Sequence, residues 1–270
     1  MTIKVTPLGA ALGATVEGLD AGRLEGNGVA DELREAFWAH KVLFFPAIHL
    51  TDEQHLALGS VFGDLAAVSN DDTDHRRHDT VDDEGRILVL DSSQPMTRAA
   101  YWHTDVTFAR QPPLGSLLSM KVSPPAGGDT MWANTQAAYE GLSEPIRRAI
   151  DGLTARHGRA GLTDFTDHPV VTVHPETGQR ILFVNRGWTS SLNDLSAIES
   201  SRLLTLLCDH MERPEFTVRW RWSDGDAALW DNRCTMHYAI NDYGDHHRRI
   251  HRVTIYDPSG AGPVAAPPLG

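Results

Sequence analysis

The C-terminal half of the chain is cut into short strand-like segments separated by turn-forming residues, and this pattern narrows the fold more than any other feature. "FTVRWRW" (Phe216–Trp222) alternates between apolar and polar side chains, "AALWDNR" follows, and "RRIHRVTIY" (Arg248–Tyr256) ends the series. A period of two places successive side chains on opposite faces of a strand. "PLGSLLSMKV" (Pro113–Val122) and "QRILFVN" (Gln179–Asn185) read as further strands. Helical patterns stand between them. "DELREAFWAHKVLFFPA" is an amphipathic helix running into a buried strand at Val42–Phe45, and "TDEQHLALGSVFGDL" opens on a capping box, Thr51 and Gln54, and is helical to about Phe62. Ser143 and Pro145 start a fresh helix inside "TQAAYEGLSEPIRRAIDGL", and a second capping box, Ser196 and Glu199, opens "SAIESSRLLTLLCDHM". A doubly wound sheet would need regular strand–helix alternation and a glycine-rich phosphate turn, which "GLTARHGRAG" is not. The expected fold is therefore mainly β with flanking helices (α+β), a closed or double-layered β core in a single domain over residues 1–270. The Asp-rich stretch at about 70–85 is expected to be a solvated mobile loop, and the Pro/Gly-rich tail at about 257–270 to fray.

Composition excludes several partners. The balance of 24 Lys+Arg against 36 Asp+Glu gives a net charge of −12, which argues against nucleic acid or an anionic membrane surface. An anionic ligand must then be caught by locally placed arginines. Cys208 and Cys234 cannot build a disulfide framework, and both read as buried packing residues rather than a soft ligand or nucleophile. The N-terminal stretch lacks the apolar region of a signal peptide, and no apolar run is long enough to span a membrane. A cytoplasmic protein acting on a small molecule is expected, with its oligomeric state open.

The chemistry is concentrated in "YWHTDVTF", Tyr101–Phe108, where His103 and Asp105 stand two apart among bulky apolar neighbours. Both are costly to desolvate without a partner, although an isolated His-x-Asp is more often a solvated, hydrogen-bonded pair. On one strand face the two could share a metal ion. A third ligand would come from far along the chain, and His237 in "LWDNRCTMHYA" is the candidate. Two His and one carboxylate leave half of an octahedral site open, as suits non-haem Fe(II), whereas a structural zinc wants four closed ligands. Arg248 and Arg252 are evenly spaced, so on a strand both point inward, where a guanidinium needs an anion such as a carboxylate.

The stretches "WHTDVTF", "GGDTMWAN", "LFVNRGWT", "FTVRWRW", "WDNRCTMHYA" and "HRRIHRVTI", in this order, resemble the taurine/2,4-D dioxygenase family of Fe(II)- and 2-oxoglutarate-dependent oxygenases. The likeness runs from about Thr2 to Tyr256. It implies a double-stranded β-helix, or jelly roll, flanked by helices. It implies that His103, Asp105 and His237 hold Fe(II), that Thr130 and Arg248 hold the distal carboxylate of 2-oxoglutarate, and that Arg252 grips an anionic substrate. Oxygen and 2-oxoglutarate would be consumed, succinate and CO2 released, and a sulfonate, sulfate ester or carboxylate hydroxylated. Val106, Phe108 and Trp188 sit in motifs that face the pocket and are candidate substrate walls. The chain departs from the taurine-specific pattern where that substrate is held. Val68 and Asp71 stand where polar and aromatic residues contact the sulfonate, Ala99 stands in place of an amine-contacting Asn, and the segment from Thr154 to His174 is shortened. A larger or less polar anion than taurine is the expected substrate.

Other residues have quieter roles. Trp102, Trp132, Trp220 and Trp222 read as packing, His246 and His247 as a solvated turn, and His174 as lying beside a turn. His251 alternates away from the inward arginines, and Arg233 either orients the metal loop or makes a surface ion pair. Two rival functions use the same residues: a non-catalytic jelly-roll sensor of a metal or small acid, and a zinc-dependent hydrolase. Neither needs Thr130 and Arg248 set for a dicarboxylate.

Overall fold

Both capping boxes form. In the computed structural model, which describes residues 3–24, 28–67, 81–94, 99–158 and 164–269, Thr51 Oγ1 accepts from Gln54 N while Gln54 Oε1 accepts from Thr51 N. Ser196 and Glu199 exchange the same two bonds. Strands β1 (Lys4–Pro7) and β2 (Ala14–Glu17) lead into α1 (Val29–His40), β3 (Val42–Phe45), α2 (Asp52–Ser60) and β4 (Asp64–Leu65). Then come β5 (Ile87–Asp91), β6 (Gly115–Val122), β7 (Thr130–Asn134), α3 (Thr135–Gly141) and α4 (Glu144–Ile150). Five short strands follow: β8 (Thr154–His157), β9 (Thr166–Pro169), β10 (Val171–Val173), β11 (Arg180–Leu182) and β12 (Thr189–Leu192). After α5 (Ala197–Met211) the chain ends in β13 (Thr217–Trp220), β14 (Ala227–Asp231), β15 (Thr235–Ala239) and β16 (Arg249–Tyr256). Among the described residues no helix is long and apolar enough to cross a membrane.

The large sheet runs β1-β2-β3-β14-β6-β16-β4, with β5 also on β16, and a smaller sheet runs β13-β7-β15. Every residue of β3 and β14 is buried, because these strands have protein on both faces. Leu43, Phe45, Ala227 and Leu229 pack towards α1, against Leu33 and Phe37. Val42, Phe44, Ala228 and Trp230 point the other way and meet Trp132 of the small sheet. Phe44 and Trp132 touch edge to face at 5.3 Å. The result is the double-layered alternative, a jelly roll whose sheets stack without closing into a barrel.

Two expectations need correction. Arg248 precedes β16 rather than lying in it, and the β6–β16 register shifts between Arg249 and Ile250. Ile250 joins the cluster between the sheets, while Val253 and Ile255 face the α1 side. The tail is docked, not frayed: Val173 N donates to Val264 O at 3.0 Å, Ala266 N to Val171 O at 3.0 Å, and Leu269 N to Asp151 Oδ2 at 2.8 Å. An extended segment keeps the N–H groups of its non-proline residues and all its carbonyls, and here Val264 O and Ala266 N add an edge to β10. Most of the 70–85 stretch lies outside the described residues.

His55 on α2 is wholly buried and its Nε2 donates to Leu117 O at 2.9 Å. Burial lowers its pKa to about 4, below its ordinary 6.5. The unfolded chain takes up this proton as pH falls below 6.5 while the folded chain does not. Stability is therefore full above pH 6.5 and lost towards pH 4, by roughly 3 kcal/mol from this group. Urea unfolding at pH 8 and pH 4.5 should show a smaller acid loss for His55→Gln than for the parent. Equal losses would remove His55 from the account.

Candidate metal centre

His103 reaches the site because one residue of its segment pairs as a strand. Its N–H donates to His237 O at 3.0 Å and its carbonyl accepts from His237 N at 2.7 Å, which extends the small sheet beyond β15. The chain then leaves the sheet in a turn. Val106 has φ 54°, a left-handed conformation that costs a β-branched residue strain. The turn carries Asp105 back beside the two histidines.

Asp105 Oδ1 lies 3.8 Å from His103 Nε2 and 3.7 Å from His237 Nε2, with the imidazole centroids 4.1 Å apart. These separations are too long for hydrogen bonds. His103 Nδ1 lies 2.8 Å from Tyr101 O; a carbonyl only accepts, so Nδ1 carries a proton, and in the neutral ring Nε2 is the nitrogen with the lone pair. Burial, then the neighbouring His103, lowers His237 to about 3, which keeps it neutral at pH 7. Burial alone would raise the Asp105 carboxyl, but Arg252 foremost among its neighbours brings it down to about 2. Two imidazole nitrogens and one ionised oxygen thus converge in a buried place. This donor set, with no thiolate, fits Fe(II).

The outer oxygen of Asp105 is already occupied. Arg252 Nη2 donates to Oδ2 at 2.8 Å and to Ser116 Oγ at 3.0 Å, and Ser116 Oγ lies 3.3 Å from the same oxygen. Arg252, matched on sequence only to substrate, therefore also holds the carboxylate. Its Nε is buried with no hydrogen-bond partner among the described residues. Its guanidinium lies 5.9 Å from the Trp230 ring centroid.

A glycine turn sets Arg248 against the segment that leads into Thr130. Gly127 and Gly128 have φ 74° and 73°, and a Cβ on Gly128 would sit 3.3 Å from Arg248 Cδ. One on Gly127 would press on the Asp242 backbone at 2.7 Å. Only glycine permits both the conformation and the approach. Thr130 Oγ1 accepts from Trp222 Nε1 at 3.0 Å, so Trp222 does more than pack. Phe108 and Trp188 meet edge to face at 4.8 Å. Gly187 brings the Trp188 loop onto the metal site, since a Cβ there would lie 2.7 Å from His103 Cβ. Val106 and Ala99 flank the same segment, and Ala99 O accepts from Ala239 N at 3.4 Å. Val68 and Asp71 lie outside the described residues.

A second cluster, His174, Asp231 and Cys234, is closed by Arg233, which forks onto Asp231 at 2.9 and 2.7 Å. His174 Nε2 lies 2.9 Å from Asp231 Oδ2. Burial opposes the Asp231 charge, but Arg233 holds its carboxyl well below the usual carboxylate range, and burial raises the Cys234 thiol. Arg233 thus anchors the metal loop from behind. His251 is buried, and its Nδ1 lies 2.9 Å from Asp52 Oδ1. Sequence reasoning missed Ser116, the Trp222–Thr130 bond and Asn232. Only the position of Asn232 inside the "WDNR" motif could have drawn notice.

The family model described as "Taurine catabolism dioxygenase TauD, TfdA family" matches residues 4–254. The chain is 36% identical to an alpha-ketoglutarate-dependent sulfate ester dioxygenase of Pseudomonas putida, over 94% of this chain and 90% of that protein. It is 35% identical to an alkylsulfatase of Acinetobacter baylyi, over 94% and 84%. The crystal structure of a taurine dioxygenase from Burkholderia xenovorans superposes with a TM-score of 0.84 at 38% identity, covering 97% of this chain and 96% of that one. With this match along nearly its whole length, the chain belongs to the taurine catabolism dioxygenase TauD, TfdA family.

Proposed function

We propose that this dioxygenase hydroxylates sulfate esters with an apolar alkyl or aryl body. His103, Asp105 and His237 hold Fe(II), Thr130 and Arg248 hold the distal carboxylate of 2-oxoglutarate, and Arg252 holds the substrate anion. The observation that carries this assignment is the convergence of the three ligand atoms within 4.8 Å of one another beside Arg252. A cytoplasmic setting suits two buried, unpaired cysteines.

When bound, iron with 2-oxoglutarate and O2 supplies the oxidant, yielding succinate and CO2 as one oxygen atom enters a substrate C–H bond. The chain's own residues supply position and charge. Arg252 keeps Asp105 ionised and one-sided, leaving Oδ1 for the metal. The buried Nε of Arg252 offers a donor to a sulfate oxygen beside that centre. Phe108 and Trp188 exclude water and wall an apolar body, and Val106 faces the same space. A hydroxylated carbon bearing a sulfate oxygen collapses to an aldehyde and sulfate. Ala99 gives no side-chain acceptor for the ammonium of taurine, which leaves that charge desolvated and unpaired. One lost charged hydrogen bond costs about 1.5–3 kcal/mol.

His103→Ala, Asp105→Ala and His237→Ala should each abolish the visible charge-transfer band of anaerobic Fe(II) plus 2-oxoglutarate. A variant that keeps the parent's band is not missing a ligand. Arg248→Ala should raise the 2-oxoglutarate requirement about a hundredfold or more, as loss of one partner of a buried charge pair does. Arg252→Ala should weaken substrate and metal together, since it touches Asp105. If Arg252→Ala alone raised the 2-oxoglutarate requirement, the arginines would exchange roles. Substrate-coupled succinate release should rank medium-chain alkyl sulfates above alkanesulfonates and aryloxy acids, with taurine lowest by about tenfold or more. Taurine ranking first would overturn the substrate assignment.

A further inference from the structure

The backbone N–H and carbonyl of Asp105 are both met by one distant side chain rather than by a strand partner. Asp105 N donates to Asn232 Oδ1 at 2.8 Å, and Asn232 Nδ2 donates to Asp105 O at 3.1 Å and to Pro113 O at 3.0 Å. Asn232 is 1% exposed. The next residue of the turn is Val106, at φ 54°. Such strain persists only where the surroundings over-determine it. We propose that Asn232 is the positioning residue of the metal centre, the clamp that keeps the strained Asp105–Val106 turn in place and Oδ1 aimed at the two histidines. The inference rests on the metal-centre assignment above.

The chemistry requires an amide at this position. One end must accept from an N–H and the other must donate to two carbonyls, and only Asn or Gln does both. Aspartate, nearly the same shape, would set an acceptor against two acceptors. Behind Asn232 lies an apolar cavity of about 210 Å³, bordered by Pro113, Leu114, Ile181 and Phe183. A side chain turned that way would lose all three bonds. The clamp is itself anchored: Asn232 N donates to Leu114 O at 2.9 Å, and Asp231 N to Lys41 O at 2.9 Å. Asn232 stands five residues before His237, in the turn by which the chain crosses from β14 of the large sheet to β15 of the small one, so one segment carries a ligand and aligns another.

Titration of the metal-free protein with Mn(II), read by electron paramagnetic resonance, tests this directly. Asn232→Ala should weaken Mn(II) binding about ten- to a hundredfold, the usual cost of losing the support of a ligand. Asn232→Asp should weaken it at least as much, despite the smaller change in volume. Adding Val106→Gly to Asn232→Ala removes the backbone strain and should recover much of the lost affinity. A role in folding alone would lower unfolding stability without this recovery. If the alanine variant does not fold, Asn232→Ser enters the same comparison. Unchanged Mn(II) affinity in Asn232→Ala, or tighter binding by Asn232→Asp than by Asn232→Ala, would overturn the inference while leaving the metal centre standing. Failure of the parent to bind Mn(II) would remove both.

Discussion

A carboxylate buried between two sheets is the constraint on which this site depends. Asp105 is 5% exposed, and desolvation alone would drive it to take up a proton and lose the charge a metal ion would need. Arg252 reverses that tendency from 2.8 Å, with Ser116 at the same oxygen. The pair is not a generic stabiliser, because burying two charges roughly cancels the attraction between them. What it secures is direction. With Oδ2 taken by a guanidinium and a hydroxyl, Oδ1 is left to face His103 and His237. The ion pair also ties β16 and β6 of the large sheet to a turn that leaves the small one.

The surrounding fold converts this local pairing into a preorganised cluster. His237 lies in β15, His103 extends the same sheet by a single bridge, and Asp105 is returned to them by the left-handed turn at Val106. The sheet β12-β8-β9 and the loop after β11 support the far side of the turn. His157 Nδ1 lies 2.8 Å from Thr107 Oγ1, His168 Nε2 lies 2.9 Å from Thr107 O, and Asn185 Nδ2 donates to Thr107 Oγ1 at 3.3 Å. Residues 103–109 are thereby gripped from several elements at once. Burial keeps His157 neutral by lowering it to about 3, so this support does not bring another cation to the centre. Rigid surroundings of this kind let three ligand atoms be held close before any metal arrives.

The elements legible in the sequence were those whose determinants are local. Thr51 with Gln54, and Ser196 with Glu199, mark helix starts because the bonded groups are three residues apart. Val42–Phe45 is readable as buried because a run with no polar position cannot face water. The tail was misjudged for the opposite reason. Pro and Gly report low intrinsic order, but the order of the tail comes from backbone hydrogen bonds to Val171 and Val173, far away in sequence. Arg248 and Arg252 both turn inward, yet through different devices: one beside the Gly127–Gly128 turn, the other within β16. The spacing alone does not reveal that difference.

The sequence by itself determined the β-rich architecture, the helix starts and the identities of His103, Asp105 and His237 as a plausible ligand set, because periodicity and motif order are written along the chain. Only the tertiary structure decided that Arg252 serves Asp105, that Trp222 donates to Thr130, and that Asn232 closes on a turn 127 residues before it. The physical reason is the range of the interaction. A hydrogen bond or ion pair needs a few ångströms and a direction, and across such separations neither exists until the sheets have stacked. The sequence names the groups; packing chooses which of them meet.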